Sequence, residues 1–233
     1  MLYSLFYLIH MLKIIGGKWK GLYITTSKHI SYRPITSSLR ASFFNYLGDY
    51  IKECSFLDGF AGTGIIGFEA LSRGARSCTF IENNKNAVLL LKRNIAALHA
   101  SQDATVLPIK IEHVLSQKLM KFSNILGGHI DTKTLRHKGL ENSEVSLINN
   151  KNVQDTIVSS IDIIFIDPPF QYPKDKLESL LDSITSNNIL QKNSLLCVRY
   201  EKFHGKILVD TSLLRFIKEF TMSEAFLDIY QLT

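Results

Sequence analysis

The sequence predicts an α/β domain with a doubly wound, mostly parallel sheet, a C-terminal antiparallel hairpin, and a small β-hairpin and helix at its N-terminal end. Three observations predict this class. Strand-like and helix-like segments alternate from Ser55 onward, a glycine-rich loop joins the first strand to the first helix, and residues 161–166 form the uninterrupted apolar run typical of a central parallel strand. The 233 residues, 45% of them hydrophobic, are enough for one such domain.

Residues 11–52 are predicted to form a basic β-hairpin followed by a helix. Leu12–Ile15 and Leu22–Thr25 have strand composition and flank a glycine-rich turn. Thr36 is a candidate N-cap, and apolar residues at helical spacing follow it, so a helix is expected up to about Tyr50.

Residues 1–10 are apolar and are predicted to be a dispensable extension. They lack the cationic start and the small-residue cleavage site of a signal peptide, and they are far shorter than the ~20 residues that span a bilayer. Met11 directly precedes the patterned hairpin, so we expect either that translation begins there or that the extension is not needed. No membrane association is expected.

Residues 53–233 are predicted to form the α/β domain itself. The expected strands are Ser55–Leu57, Ser77–Ile81, Thr105–Ile109, Ile161–Ile166, Leu195–Arg199, Arg215–Phe220 and Ala225–Leu232, and the expected helices are Ile65–Ser72, Asn86–Leu98 and Leu177–Ile184. Residues 123–158 are rich in Asn, Ser, Gly and Lys without clear periodicity. We interpret them as a mobile surface insertion between the third and fourth of these strands.

Charge and cysteine content limit the partners and the compartment. Six cations and no acidic residue occur up to Gly48, and the rest of the chain carries as many acidic as basic residues, so this segment accounts for the net charge of +6. Clustered cations favour a polyanion such as RNA, because binding releases its counterions; a solvated basic face without a partner is the alternative. The three cysteines are scattered, which argues against a zinc or disulfide framework and fits a reducing cytoplasm.

The loop from Asp58 to Gly64 (DGFAGTG) is the first candidate site. Its glycines permit a tight turn and close approach to a ligand, and the following helix N-terminus attracts negative charge. Glu82 ends the next strand, where a carboxylate can accept hydrogen bonds from both hydroxyls of a ribose. With Gly67 the loop also satisfies G-x-G-x-x-G, so a nicotinamide cofactor and a plain glycine-rich turn both stay open. The candidate cofactor-binding residues are Asp58, Phe60, Ala61, Gly62, Gly64, Glu82 and Asn83.

The tetrad Asp167-Pro168-Pro169-Phe170 is the second candidate site. It follows the apolar strand and therefore lies at the same edge of the sheet as the glycine loop. The Asp167 carboxylate and the Pro168 carbonyl can accept the two N–H groups of an exocyclic amine and favour a pyramidal nitrogen. Phe170 can stack on the base, a contact worth ~1–3 kcal/mol. This arrangement favours methylation of a base amine, and an ordinary strand-end turn is the alternative.

Together with these two motifs, the N-terminal sequence blocks resemble a known family. Ile14 to Gly21 (IIGGKWKG), Arg33 to Thr36 (RPIT) and Arg40 to Asn45 are similar to the RsmD type of bacterial small-subunit ribosomal RNA guanine-N2 methyltransferases, which have a Rossmann-like class I methyltransferase fold. The resemblance implies S-adenosylmethionine as methyl donor and N2-methylguanine as product. It also implies ribosomal RNA, in an assembling small subunit, as partner. A cytoplasmic location and no metal are expected as well, and a monomer is expected because a small enzyme that reads a large RNA is often monomeric.

The resemblance also implies roles for individual residues. Asp167, Pro168 and Phe170 are then catalytic, and Glu112 is a candidate for approaching the adenine of the cofactor. Trp19 is interpreted as a hairpin anchor or, as the alternative, a stacking residue. The residues expected to contact RNA phosphates are Lys18, Lys20, Arg33 and Arg40.

Three other functions remain open from the sequence. A DNA adenine-N6 methyltransferase uses the same kind of tetrad, although no segment has the size of a separate target-recognition domain. A non-catalytic RNA-binding factor for ribosome assembly is a second alternative. An NAD-dependent oxidoreductase is the third, and it leaves the tetrad and the basic hairpin unexplained.

Overall fold

The computed structural model describes residues 9–27, 35–113, 161–186, 190–207, 209 and 212–233. Its strands are β1 (Ile9–Lys13), β2 (Tyr23–Ser27), β3 (Ser55–Asp58), β4 (Ser77–Ile81), β5 (Ala104–Leu107), β6 (Ile161–Ile166), β7 (Leu190–Glu201), β8 (Leu214–Thr221) and β9 (Ala225–Leu232). Its helices are α1 (Ser37–Leu47), α2 (Ile65–Ser72), α3 (Lys85–Ala97) and α4 (Lys174–Ser186), with 3-10 turns at Gly48–Ile51 and Lys202–His204. None of the helices in these ranges is long and apolar enough to cross a membrane.

Seven strands form one central sheet in the order β5-β4-β3-β6-β7-β9-β8. The first five of these run parallel, whereas β9 is antiparallel to both β7 and β8. From β3 the chain adds β4 and β5 toward one edge of the sheet, and β6 then lies on the other side of β3. The strand order reverses between β3 and β6, which is therefore the topological switch point. The doubly wound sheet with a C-terminal antiparallel hairpin is as predicted from the sequence.

Both faces of the sheet are buried, which explains the uninterrupted apolar sequence of β6. Ile163 and Phe165 pack into the core cluster that contains side chains of α1, α2 and α3. Ile164 and Ile166 point into the second cluster, which contains the apolar side chains of α4. Successive side chains of β6 are thus buried on opposite faces of the sheet, as expected from the two-residue period of a strand.

The N-terminal hairpin is bound to the α/β domain by buried polar contacts. Glu69, which is fully buried in α2, accepts a hydrogen bond from the Ile15 amide at 3.0 Å. The Asn94 side chain in α3 exchanges two hydrogen bonds with the backbone of Thr25, at 2.9 and 2.8 Å. The hairpin is therefore a fixed part of this domain.

Gly17 shows why the hairpin turn needs glycine. Its φ is +74°, and a Cβ placed there would lie 1.8 Å from the carbonyl oxygen of Ser72. The turn presses against the C-terminal end of α2, where Ser72 also accepts from the amides of Lys18 and Trp19. Trp19 packs against the main core cluster, which supports its interpretation as an anchor.

Several element ends differ from the sequence-based expectation. Strand β1 runs from Ile9 to Lys13, so it begins before the predicted Leu12, and its register with β2 pairs Ile9 with Ser27. Two residues of the predicted extension are thus part of a strand, while residues 1–8 and the predicted insertion lie outside the described residues. Helix α1 begins as expected after the Thr36 cap, whose hydroxyl accepts from the Leu39 amide, but it ends at Leu47 in a 3-10 turn.

Candidate active site

Two adjoining cavities open at the carboxyl ends of the parallel strands. The first has a volume of about 470 Å³, and its lining includes Asp58, Asp167 and Arg199. The second has a volume of about 380 Å³, and its lining includes Glu82, Asn83, Ile109, Glu112 and Tyr172. Phe60 and Pro169 line both cavities. The switch point thus holds one cleft with two compartments, in the position expected for ligands of open α/β sheets.

The glycine loop is held in the middle of the sheet edge. The Gly59 amide donates to the Phe165 carbonyl at 2.9 Å, and the Ala61 amide donates to the Ile81 carbonyl at 2.9 Å. Gly64 then starts α2 with φ of +76°, a left-handed conformation that favours glycine. A Cβ at Gly64 would lie 2.4 Å from the Leu91 side chain. The loop conformation is therefore set by backbone pairing and by close packing.

Glu82 caps this loop through both carboxylate oxygens. Oε2 accepts from the Gly62 amide at 2.8 Å, and Oε1 accepts from the Asn84 amide at 2.7 Å. Carboxylate oxygens have more than one acceptor site each, so these bonds are compatible with further acceptance from a ribose in the second cavity. The structure adds a loop-holding role for Glu82 to the predicted ribose contact, which stays a prediction.

Asp58 is a buried carboxyl group beneath the loop. Its Oδ2 accepts from the Gly67 amide at 3.3 Å. Burial raises the pKa of Asp58 to about 8, with smaller contributions from the negative charges of Asp167 and Glu82, while the Gly67 hydrogen bond opposes the rise. Without a ligand the group is therefore mostly protonated at neutral pH, and a cation bound beside it would favour the carboxylate.

Asp167 is held by an ion pair across two strands. Its Oδ1 accepts from Nη1 of Arg199 at 2.7 Å, and Nη2 of Arg199 lies 3.4 Å from Oε1 of Glu201. Burial raises the pKa of Asp167, the Arg199 charge opposes this rise, and the Glu201 charge adds to it. The guanidinium thus orients the carboxylate and favours its ionised, hydrogen-bond-accepting form.

The residues that follow Asp167 form the outer wall of the cleft. Pro168 and Pro169 have no amide N–H, so neither adds a competing donor here. The Pro169 carbonyl accepts from the Tyr172 amide at 2.8 Å. Phe170 is 50% exposed and lines the first cavity. Tyr172 packs against Phe60 with ring centroids 5.3 Å apart, and its hydroxyl donates to Glu112 in the second cavity.

The structure distributes the four predicted RNA-contact residues unevenly. Lys18 and Lys20 are exposed on the hairpin turn. Arg40 is 3% exposed, and its Nη2 donates to the Lys13 carbonyl at 2.9 Å, so it ties α1 to the hairpin. This corrects the prediction for Arg40, because a buried guanidinium with an internal partner is not placed to contact a phosphate. Arg33 lies outside the described residues.

Sequence reasoning missed three residues of the cleft. Arg199 and Glu201 belong to no motif, and Tyr172 follows the tetrad by two residues. A sequence pattern could have identified Arg199 and Glu201. Charged residues at positions i and i+2 near the end of a buried parallel strand lie on the same face of the sheet, and a buried charge needs a partner. Asp167, which follows the neighbouring strand β6, is the partner of Arg199.

Comparison with protein sequences gives a match over nearly the whole chain. The family model of conserved hypothetical protein 95 matches residues 12–125 and 127–231. Ribosomal RNA small subunit methyltransferase D of Haemophilus influenzae is 28% identical over 219 residues, which cover 94% of this chain and 93% of that protein. The protein of the same name from Escherichia coli K12 is 28% identical over 194 residues, 83% of this chain and 77% of that one.

Comparison with solved structures supports the same fold. The Escherichia coli protein yhhF has a TM-score of 0.71 and 26% identity, covering 96% of this chain and 98% of that chain. The protein SMU.776, solved in complex with SAH, has a TM-score of 0.57 and 12% identity over 96% of this chain and 56% of that chain. At that identity the second likeness concerns the fold alone. The Rossmann-like architecture predicted from the sequence is confirmed.

Proposed function

The chain belongs to the conserved hypothetical protein 95 family, and from this premise we propose that it is an S-adenosylmethionine-dependent methyltransferase acting on the N2 amine of a guanine in small-subunit ribosomal RNA. The family confirms the resemblance to RsmD-type enzymes, and two relatives carry the name ribosomal RNA small subunit methyltransferase D. One observation carries the proposal. The glycine loop and the Asp167 tetrad face a single cleft with two compartments that share Phe60 and Pro169.

The second cavity and the glycine loop, which also lines the first cavity, fit the methyl donor. Glu82, Asn83 and Glu112 offer oxygen acceptors and an amide beside the apolar side chains of Ile109 and Ile111, which suits a ribose and a flat purine. Asp58 suits the ammonium group of the methionine moiety, because a buried carboxyl with a raised pKa gains from a cation. S-adenosylmethionine supplies a methyl group made reactive by the neighbouring sulfonium.

The first cavity fits the base amine. Asp167 and the Pro168 carbonyl accept its two N–H groups, and Phe170 provides an aromatic surface for the flipped base. Acceptors placed in advance where positive charge develops on the nitrogen stabilise the transition state, and the rest of the catalysis is positioning. Arg199 is a positioning residue that acts through Asp167.

The exposed lysines of the hairpin supply sequence-independent attraction to RNA. Lys18 and Lys20 lie on a turn that Gly17 and Ser72 hold against the domain. Phosphate contacts of this kind fix the orientation of the RNA and carry no sequence information. Arg33 remains a predicted phosphate contact, and guanine as target, an assembling subunit as substrate, a cytoplasmic location and a monomeric state belong to the proposal.

The test is transfer of labelled methyl groups to three substrates: unmodified small ribosomal subunits, naked small-subunit RNA and DNA. The expected result is label in RNA that is recovered as N2-methylguanosine after digestion and is lost with Asp167→Ala. Label only in DNA, as N6-methyladenine, would replace the proposal by the DNA alternative. Cofactor binding without transfer to any substrate, together with full rescue of ribosome maturation by Asp167→Asn, would favour the non-catalytic assembly factor.

A further inference from the structure

Two exposed aromatic rings stand side by side at the mouth of the cleft. Phe203 lies in the 3-10 turn after β7 and is 63% exposed, and its ring centroid is 5.2 Å from that of Phe170. Phe170 lines the first cavity, whereas Phe203 lies outside the residues that line it. The His204 ring packs against Phe203 at 4.1 Å between centroids. An aromatic surface therefore continues from the cavity out to the protein surface.

Lysines surround this turn. Lys202 and Lys206 both approach the Phe226 ring, with Nζ 5.3 and 4.4 Å from its centroid. Lys174 donates to the Lys206 carbonyl at 2.9 Å, which brings a third ammonium group to the turn. Two carboxylates oppose them, since Glu178 lies 3.7 Å from Lys174 and Glu219 pairs with Lys206. Of these three ammonium groups, those of Lys174 and Lys206 are paired with carboxylates, and that of Lys202 lies over the Phe226 ring.

We propose that the segment Lys202–Lys206, named here the Phe203 turn, is a second RNA-contact element. Phe203 stacks on the nucleotide next to the flipped base, and Lys202 and Lys206 contact the phosphates that flank it. The inference rests on the proposed function, and it adds a contact on the catalytic side of the domain to the lysines of the N-terminal hairpin.

The geometry of the cleft supports this assignment. A base inside the first cavity meets Phe170, and Phe203 is an exposed ring in contact with Phe170, so a strand that leaves the cavity on this side passes Phe203. Aromatic side chains bind any unstacked base, because every base has a π-face. The ammonium groups of Lys202 and Lys206 lie near this aromatic surface, where they can contact backbone phosphates. Base stacking and phosphate contacts are usually combined in the recognition of single strands.

The aromatic part is tested with Phe203→Ala and Phe203→Leu, and Phe216→Ala serves as the matched control because Phe216 is also exposed, at 52%, on β8. Loss of one stacked base corresponds to roughly tenfold weaker RNA binding. We expect Phe203→Ala to raise KM for the RNA substrate by about this factor, with kcat at saturating RNA and cofactor affinity unchanged, and Phe203→Leu to lie between. A KM for Phe203→Ala equal to that of the control overturns the inference.

The cationic part is tested by the salt dependence of RNA binding, measured without turnover in the presence of S-adenosylhomocysteine. The double variant Lys202→Gln, Lys206→Gln is compared with Lys192→Gln, which lies near the opposite end of β7. Each phosphate contact that is lost lowers the slope of log K against log salt by about 0.7 on a single strand. A slope equal to that of Lys192→Gln overturns the lysine contacts.

The two proposals fail in different ways. If the wild-type protein binds the RNA but transfers no methyl group to it, the proposed function is lost, and the binding measurement still decides on the Phe203 turn. If it methylates the RNA and the Phe203 and lysine variants match their controls, the Phe203 turn alone is lost.

Discussion

The carboxylates of the glycine-loop region and that of the tetrad are held in different ways. On the glycine-loop side, Glu82 and Asp58 accept from backbone amides of the same local motif, those of Gly62, Asn84 and Gly67. On the tetrad side, Asp167 accepts from the side chain of Arg199, which lies 32 residues later on the neighbouring strand. Local backbone contacts fix the shape of a loop, whereas a cross-strand ion pair fixes the charge and orientation of one group.

This difference predicts that the glycine-loop side and the tetrad side can be damaged separately. A change on the glycine-loop side leaves amides without acceptors and deforms the cofactor site. A change on the tetrad side leaves a buried charge unpaired or removes the acceptor for the amine, while the cofactor site keeps its shape. Substitutions should therefore divide into those that lower cofactor affinity and those that lower turnover.

Asp167→Ala should have the largest effect. The substitution removes an acceptor that stabilises charge in the transition state, a loss that typically costs about 3–4 kcal/mol, or 10²–10³ in rate. We expect the rate of methyl transfer at saturating substrates to fall by about this factor while the dissociation constant of S-adenosylmethionine is unchanged. A large loss of cofactor affinity would show that the glycine-loop side and the tetrad side are not separable.

Glu82→Gln should have the opposite signature. The amide side chain keeps one acceptor and turns a donor toward one of the two loop amides, so a buried N–H loses its partner at a cost of about 1–3 kcal/mol. The cost falls on the loop that binds the cofactor, and we expect roughly tenfold weaker binding of S-adenosylmethionine by calorimetry. Wild-type affinity in this variant would mean that the loop is held by its backbone pairing alone.

Arg199→Gln should change the pH dependence more than the maximum rate. Arg199 lowers the pKa of Asp167, so its removal raises that pKa and reduces the ionised fraction at any given pH. The acid limb of the pH–rate profile should therefore move to higher pH, with a larger loss of activity at acidic than at alkaline pH. Lys192→Gln is the control, and an unshifted acid limb would exclude ionised Asp167 as the acceptor.

The smallest expected effect is proton release on cofactor binding. Burial raises the pKa of Asp58 to about 8, so the group is mostly protonated at pH 7, and an ammonium group beside it favours loss of that proton. Binding enthalpies measured in buffers of different ionisation enthalpy should show release of up to about one proton near neutral pH and none at pH well above 8. Asp58→Asn should abolish the buffer dependence if Asp58 is its source.

The same contrast explains what the sequence could predict. Four elements begin and end where the sequence predicts, because glycines, acidic residues and the spacing of apolar residues within each segment indicate its ends. They are Ile65–Ser72, Ser77–Ile81, Ile161–Ile166 and Ala225–Leu232. The glycine loop and the tetrad were likewise local patterns, and the structure brings them together at the switch point because both follow parallel strands.

Features that depend on a distant partner were missed. The pairing of Arg199 with Asp167 needs knowledge that β6 and β7 are neighbours. Arg40 looked like a surface cation, yet its partner is the Lys13 carbonyl on β1, and burial removes it from the RNA surface. Charge counted along a chain does not tell which cations remain exposed after folding.

The most direct test of this division is to titrate S-adenosylmethionine in the methyl-transfer assay for Glu82→Gln and Asp167→Ala side by side, with small ribosomal subunits as substrate. We expect a high cofactor concentration to restore the rate of Glu82→Gln to near that of the wild type and to leave the rate of Asp167→Ala lower by a factor of about 10²–10³. Restoration of Asp167→Ala, or failure to restore Glu82→Gln, would contradict separate roles of the glycine-loop side and the tetrad side.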